Sequence, residues 1–121
     1  MTQEFEPASD LAHLPIVCVQ GLGFVGAAMS VAIASSRADE NSPCFNVVGV
    51  ELDNPQGRER AGAIASGKFP FHSADRELTA AVETAHARGN LSATTNASVF
   101  SQASIIIVDV PLDVRHIDGR I

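Results

Sequence analysis

Tryptophan and tyrosine are absent from this 121-residue chain, and its only aromatics are six scattered phenylalanines. No stacking platform for nucleic-acid bases is therefore visible. Basic residues are few: 8 Lys and Arg stand against 14 Asp and Glu, a net charge of −6. A nonspecific binder of nucleic acid or of an anionic membrane carries the opposite sign, so neither partner is expected. Cysteine occurs twice, as Cys18 and Cys44, without the C-x-x-C spacing of a metal or redox motif. Cys18 falls in an apolar run and reads as a buried, reduced thiol. No window reaches the roughly 18 apolar residues of a membrane span. The start Met1-Thr2-Gln3-Glu4-Phe5-Glu6 has neither the basic nor the apolar region of a secretion signal. Internal repeats and low-complexity linkers are also missing. The expectation is a soluble, cytoplasmic protein. With 45% hydrophobic and 18% charged residues, it should fold around one small core.

What the chain does have is a glycine turn in a particular setting. Ile16-Val17-Cys18-Val19 is continuously apolar and reads as a parallel strand covered on both faces. It runs into Gly21-Leu22-Gly23-Phe24-Val25-Gly26, and a helix-like stretch follows. Three glycines at this spacing say little alone. Between a strand and a helix they match a dinucleotide-binding turn. Gly21 lets the chain turn sharply, Gly23 leaves room for a pyrophosphate, and Gly26 lets the helix pack closely. The helix start then offers unpaired N–H groups and partial positive charge to the phosphates. The helix is expected to run to about Ser35, with Val25, Ala28, Met29, Ala32 and Ile33 as its inward stripe.

Residues 1–14 read as an extended, partly ordered lead-in, because Pro7 and Pro15 discourage regular structure. Residues 37–44 are polar and read as a loop. Residues 45–52 form the second strand, ending at Glu51-Leu52-Asp53. An acid there is what a dinucleotide site requires, since it accepts hydrogen bonds from ribose hydroxyls and repels a 2′-phosphate. The usual offset past the glycines is about 20 residues. Here Gly26 to Glu51 is 25, and the polar loop absorbs the excess. Asn54-Pro55 should cap a second helix, with Ala61, Ile64 and Ala65 inward and Ser66-Gly67 at its end. Ser73 or Asp75 should cap a third, carrying Leu78, Ala81, Val82 and Ala85 inward and ending at Gly89. Residues 91–94 are a third strand, residues 96–103 a brief helix or turn, and residues 104–110 a fourth, apolar strand. His13, His72 and His86 have no partners at ligand spacing and read as solvated.

With these segments placed, the chain resembles the N-terminal NAD-binding domain of the UDP-glucose/GDP-mannose dehydrogenase family, the nucleotide-sugar 6-dehydrogenases. The resemblance rests on the glycine turn, on Val48-Gly49-Val50-Glu51-Leu52-Asp53, and on Ser66-Gly67-Lys68-Phe69-Pro70-Phe71. It extends to Leu91-Ser92-Ala93-Thr94-Thr95-Asn96 and Ile105-Ile106-Ile107-Val108-Asp109-Val110-Pro111. It implies NAD as cofactor, and a parent enzyme that oxidises a sugar C6 alcohol to a uronate through a cysteine-bound intermediate. Neither Cys18 nor Cys44 matches that nucleophile, so no catalytic residue is assigned in this chain. The cofactor-binding positions implied are Gly21, Leu22, Gly23, Phe24, Val25, Gly26, Glu51, Gln56, Val110, Pro111 and Leu112. Gln56 stands where the family commonly has a basic residue, with Arg58 two positions on. Leu112 stands where it commonly has a cofactor-contacting threonine. Ala27-Ala28-Met29 replaces the common Leu-Pro-Leu.

The expected architecture is α/β: the N-terminal half of a Rossmann-like, doubly wound parallel sheet, with strand order 3-2-1-4. Residues 1–15 would precede a partial NAD-binding domain over 16–121. A full doubly wound sheet has about six strands, so the chain is expected to be part of a longer protein, which the resemblance implies to be a homo-oligomer that takes a nucleotide sugar. Two alternatives remain open. One is another NAD(P)-dependent dehydrogenase, of the 6-phosphogluconate or hydroxyacyl-CoA type, against which the proline loop and the A-T-T strand speak. The other is a non-catalytic nucleotide-binding module, which Gln56 and Leu112 favour.

Overall fold

The computed structural model describes residues 5–7, 9–40 and 42–109. The elements are β1 (Ile16–Gln20), α1 (Phe24–Ser35), β2 (Arg37–Asp39), β3 (Ser42–Pro43), β4 (Asn46–Val50), α2 (Pro55–Ala65), α3 (Arg76–Arg88), β5 (Leu91–Thr94) and β6 (Ile105–Val108). Short 3-10 turns precede β1 at Ser9–Leu11 and link β5 to β6 at Ala97–Gln102. Four strands form one sheet in the order β5-β4-β1-β6, and every pairing in it is parallel. Numbered along the chain, its strands lie 3-2-1-4, as the sequence leads one to expect.

Alternation along the strands sorts the core into two layers. Val17, Val19, Val47 and Leu91 face the three helices and meet Val31 and Ala34 of α1, Ile64 of α2, and Val82 and Ala85 of α3. Cys18, Val48 and Val50 face the other way, onto Val99 of the 3-10 turn, with Phe5, Phe100 and Ala103 packed around them. The Cys18 thiol is fully buried, and burial pushes its pKa up to about 11. It is free, as is Cys44.

Local chemistry explains the helix limits. Asn54 Oδ1 accepts from Gly57 N–H at 2.7 Å, and Pro55 fills the first helical position of α2. Asp75 Oδ1 accepts from the N–H groups of Glu77 and Leu78, which caps α3, while Gly89 closes it at φ 91°.

Several expectations are corrected. The buried residues of α1 are Gly26, Ala27, Ser30, Val31 and Ala34, whereas Val25 and Ala32 are exposed and Ala28, Met29 and Ile33 half-buried. The helix is apolar nearly all round, so periodicity could not choose its face. Ala65 is exposed, one position beyond the stripe that Ala61 and Ile64 define. The polar stretch expected to be a loop contains the small antiparallel pair β2–β3.

The described residues before β1 also dock more firmly than the extended, partly ordered lead-in expected of them. Leu11 is buried, and its carbonyl accepts from Asn46 Nδ2 at 2.8 Å. Gln102 clasps Phe5, accepting its N–H at 3.1 Å and donating to its carbonyl at 3.0 Å. Asn90 makes a comparable tie in the core. Its Nδ2 donates to the carbonyls of Ala34 and Phe45 at 2.8 and 3.0 Å, joining the end of α1 to the approach to β4. Asn90→Ala leaves both carbonyls without that donor. We expect a loss of about 2 kcal/mol in urea unfolding, and a loss below about 0.5 kcal/mol would show that the tie carries no weight.

Candidate functional site

The carboxyl ends of β1, β4 and β6 open into a cleft of about 740 Å³. Gly21, Gly23, Phe24 and Val25 line it from the turn after β1. Glu51, Leu52 and Gln56 line it from the segment after β4, and Asp109 from the end of β6. Of the residues expected at the site, Gly21, Gly23, Phe24, Val25, Glu51 and Gln56 are brought together on the cleft wall, whereas Leu22 and Gly26 are buried behind it; Leu52 and Asp109 join the wall without having been expected there. Val110, Pro111 and Leu112 lie outside the described residues.

Each glycine of the turn has its own reason. Gly21 adopts φ 98°, a left-handed conformation that an L side chain resists, and its N–H is held by the Val50 carbonyl at 2.9 Å. At Gly26 an added Cβ would sit 2.0 Å from the Gly21 carbonyl oxygen, so α1 can approach the turn only without a side chain there. At Gly23 an added Cβ would meet nothing within 4 Å. Its open side belongs to the cleft. Gly23 is also the N-cap of α1, and no side chain caps that helix.

Leu22 anchors the turn. Its side chain is fully buried and lies over Gly49 of β4, where a Cβ would come within 2.6 Å of Leu22 Cδ2. Its N–H donates to Glu51 Oε1 at 2.6 Å, while Glu51 Oε2 accepts from Leu52 N–H at 3.1 Å. The Glu51 carboxylate therefore ties the end of β4 to the glycine turn. A carboxylate has about four acceptor positions, so two of them remain for a ligand.

Structure adds residues that sequence reasoning missed. Arg60 lines the cleft, with its guanidinium 5.1 Å from the Phe71 ring centre and its Nη1 3.9 Å from Glu51 Oε1. Arg58 points elsewhere and pairs with Asp53 at 2.8 Å on the exposed surface. Helical spacing could have separated the two, because Gln56 and Arg60 are four apart and share a face. Phe71 and Phe69, from the proline loop, close on Phe24 at 5.9 and 5.3 Å between ring centres. Phe100 and Ala97 complete the wall from the 3-10 turn after β5. Cys18 lies within the sheet on the layer facing Val99 and does not line the cleft. Among the described residues, no group of His, Cys, Asp and Glu could hold a metal ion, and no helix is long and apolar enough to cross a membrane.

A dinucleotide's pyrophosphate needs open space at the second glycine and an uncapped helix start, and its ribose needs a carboxylate nearby. Gly23, α1 and Glu51 meet those requirements.

Solved structures share this fold. An NDP-N-acetyl-D-galactosaminuronic acid dehydrogenase from Methanosarcina mazei Go1 matches with a TM-score of 0.70 and 19% identity, over 81% of this chain and 20% of that one. GDP-mannose dehydrogenase from Pseudomonas aeruginosa matches with a TM-score of 0.63 and 21% identity, over 82% of this chain and 20% of that one. A UDP-glucose dehydrogenase from the archaeon Pyrobaculum islandicum matches with a TM-score of 0.61 and 24% identity, over 81% and 20%. The chain thus spans about a fifth of the length of these structures. No curated protein matches the sequence. The sequence profile of one family does match, over residues 16–118: the chain belongs to the UDP-glucose/GDP-mannose dehydrogenase family, as its NAD binding domain.

Proposed function

We propose that this chain holds NAD for a nucleotide-sugar 6-dehydrogenase, an enzyme oxidising a sugar C6 alcohol to a uronate. The observation that carries the reading is the Glu51 carboxylate, placed beside the glycine turn at the mouth of an open cleft. Bound NAD would supply the hydride acceptor. The N–H groups of the first turn of α1, with Gly23 beside them, would receive the pyrophosphate. Glu51 would accept the adenosine ribose hydroxyls, and Leu52, Gln56 and Phe100 would wall the adenosine end. No residue of this chain is assigned to proton transfer or covalent catalysis. Those steps, and the choice among UDP-glucose, UDP-N-acetyl-hexosamine and GDP-mannose types of substrate, belong to the whole protein. Residues Val110, Pro111 and Leu112 are proposed to continue the cofactor contacts.

Glu51 also sets the cofactor. A 2′-phosphate would meet a carboxylate already fixed in place by two N–H groups. Titration calorimetry should therefore show NAD binding more tightly than NADP. Equal or tighter binding of NADP would overturn the assignment of Glu51. The activity of the parent protein is tested by offering it NAD with each of the three nucleotide-sugar types. NADH formation with none of them would favour a non-catalytic nucleotide-binding module, the reading to which Gln56 lends some support.

A further inference from the structure

Cleft chemistry is not complete with the glycine turn, Glu51 and Arg60, because a second carboxylate stands in it. Asp109 follows β6, and its N–H donates to the Gln20 carbonyl at 2.8 Å, which fixes it beside the end of β1. Its Oδ2 lies 3.0 Å from the point where a Cβ on Gly26 would stand. Gly26 is in the first turn of α1, so the Asp109 carboxylate sits against the start of that helix and lines the cleft with Gly21 and Gly23. The first turn of α1 has no acid and no side-chain cap of its own. No described cation neutralises Asp109: Arg58 is engaged by Asp53, and Arg60 leans on Glu51.

We propose that Asp109 is the cleft's own anion, lying where it opposes a dinucleotide's pyrophosphate and so sets how tightly that group is held. The proposal rests on the dinucleotide reading given above. A helix start favours one negative charge. Asp109 supplies that charge in the free protein, from a neighbouring strand. A pyrophosphate arriving at the same helix start meets it as a like charge a few ångströms away. At an effective dielectric between that of a protein surface and that of water, such a charge changes affinity by about tenfold. The same carboxylate thus steadies α1 when the cleft is empty and weakens the complex when it is filled.

Titration calorimetry with NAD on the wild-type protein, Asp109→Asn and Asp109→Ala tests this, at low and at physiological salt. Both variants should bind NAD about tenfold more tightly at low salt. The advantage should shrink as salt rises, because the repulsion is screened. Both should also melt at a lower temperature, since α1 loses its anion. Unchanged NAD binding in the variants overturns the proposal and leaves the dinucleotide reading standing. Weaker binding also overturns it, and shows instead that Asp109 accepts hydrogen bonds from the cofactor. A gain that salt does not alter overturns the electrostatic account. Failure of all three proteins to bind NAD overturns the dinucleotide reading and the proposal together. Binding by the variants alone supports both.

Discussion

Gly26→Ala should unfold the turn that shapes the cleft, whereas Gly23→Ala, three positions earlier, should leave the fold intact and still weaken dinucleotide binding. The two glycines belong to one motif, but their surroundings differ. A methyl group on Gly26 would stand 2.0 Å from the Gly21 carbonyl oxygen and 3.1 Å from its carbon. Relief needs α1 to move away from β1, yet Ala27, Val31 and Ala34 hold that helix in the core. Nor can the Gly21 carbonyl swing freely, because its residue is already at φ 98° with its N–H tied to Val50. Overpacking of this kind costs about 3 kcal/mol. Gly23 has φ −64° and open space around its missing side chain, so alanine fits without strain. As an N-cap it loses less than about 1 kcal/mol. Its methyl group, however, projects into the space a pyrophosphate needs, and affinity for NAD should fall more than tenfold, on the order of the cost of a misplaced methyl in a packed site. Urea unfolding and calorimetry on both variants decide the matter. Wild-type affinity in Gly23→Ala would mean that the ligand does not lie against this turn. Wild-type stability in Gly26→Ala would mean that α1 is not fixed by the Gly21 contact.

The contrast shows what could be read from the sequence and what could not. The glycine spacing, the apolar runs of β1 and β4, the Asn54-Pro55 helix start and the Gly89 stop are each local chemistry. Each is recognisable without tertiary information, and the strand order follows from the doubly wound fold that the glycine turn and the family resemblance imply. The inward face of α1 was not recognisable, since almost every position of Phe24–Ser35 is small or apolar. That face is selected by the approach of Gly26 to Gly21, a contact across the turn. Arg60 was missed for a related reason. Of the four polar residues Gln56, Arg58, Glu59 and Arg60 on α2, only Gln56 and Arg60 line the cleft, and that choice depends on the rotation of the helix, fixed by Ala61 and Ile64 in the core. The docking of Phe5 on Gln102 joins residues 97 apart, and nothing in either neighbourhood announces it. The β2–β3 pair carries no alternation of apolar and polar residues, the usual sign of a strand. Glu51 is an intermediate case. Its presence at a strand end was legible, but its hydrogen bond to Leu22 was not.

That hydrogen bond makes Glu51→Gln a more informative change than its size suggests. Glutamine is nearly isosteric, so packing at this half-buried position is preserved, and what changes is acceptor capacity and charge. Glutamate offers Oε1 to Leu22 and Oε2 to Leu52 while keeping lone pairs for the ribose hydroxyls proposed to bind there. Glutamine has one acceptor oxygen and one NH2 group. Either Leu22 or Leu52 must lose its partner, or the NH2 must face an N–H group, and both outcomes leave a donor unpaired. Hydrogen bonds to a charged acceptor contribute about 1.5–3 kcal/mol each, so NAD affinity should fall by about tenfold to a hundredfold. NADP should respond differently, because the same substitution removes the negative charge facing its 2′-phosphate and leaves Arg60, previously directed at Glu51, free to attract it. The preference for NAD over NADP should therefore narrow more than either affinity alone would indicate. Calorimetry with both cofactors on wild type and Glu51→Gln measures that ratio. If the ratio is unchanged while both affinities fall together, Glu51 acts only by holding the glycine turn in place. If neither affinity moves, the ribose is not bound at this carboxylate at all.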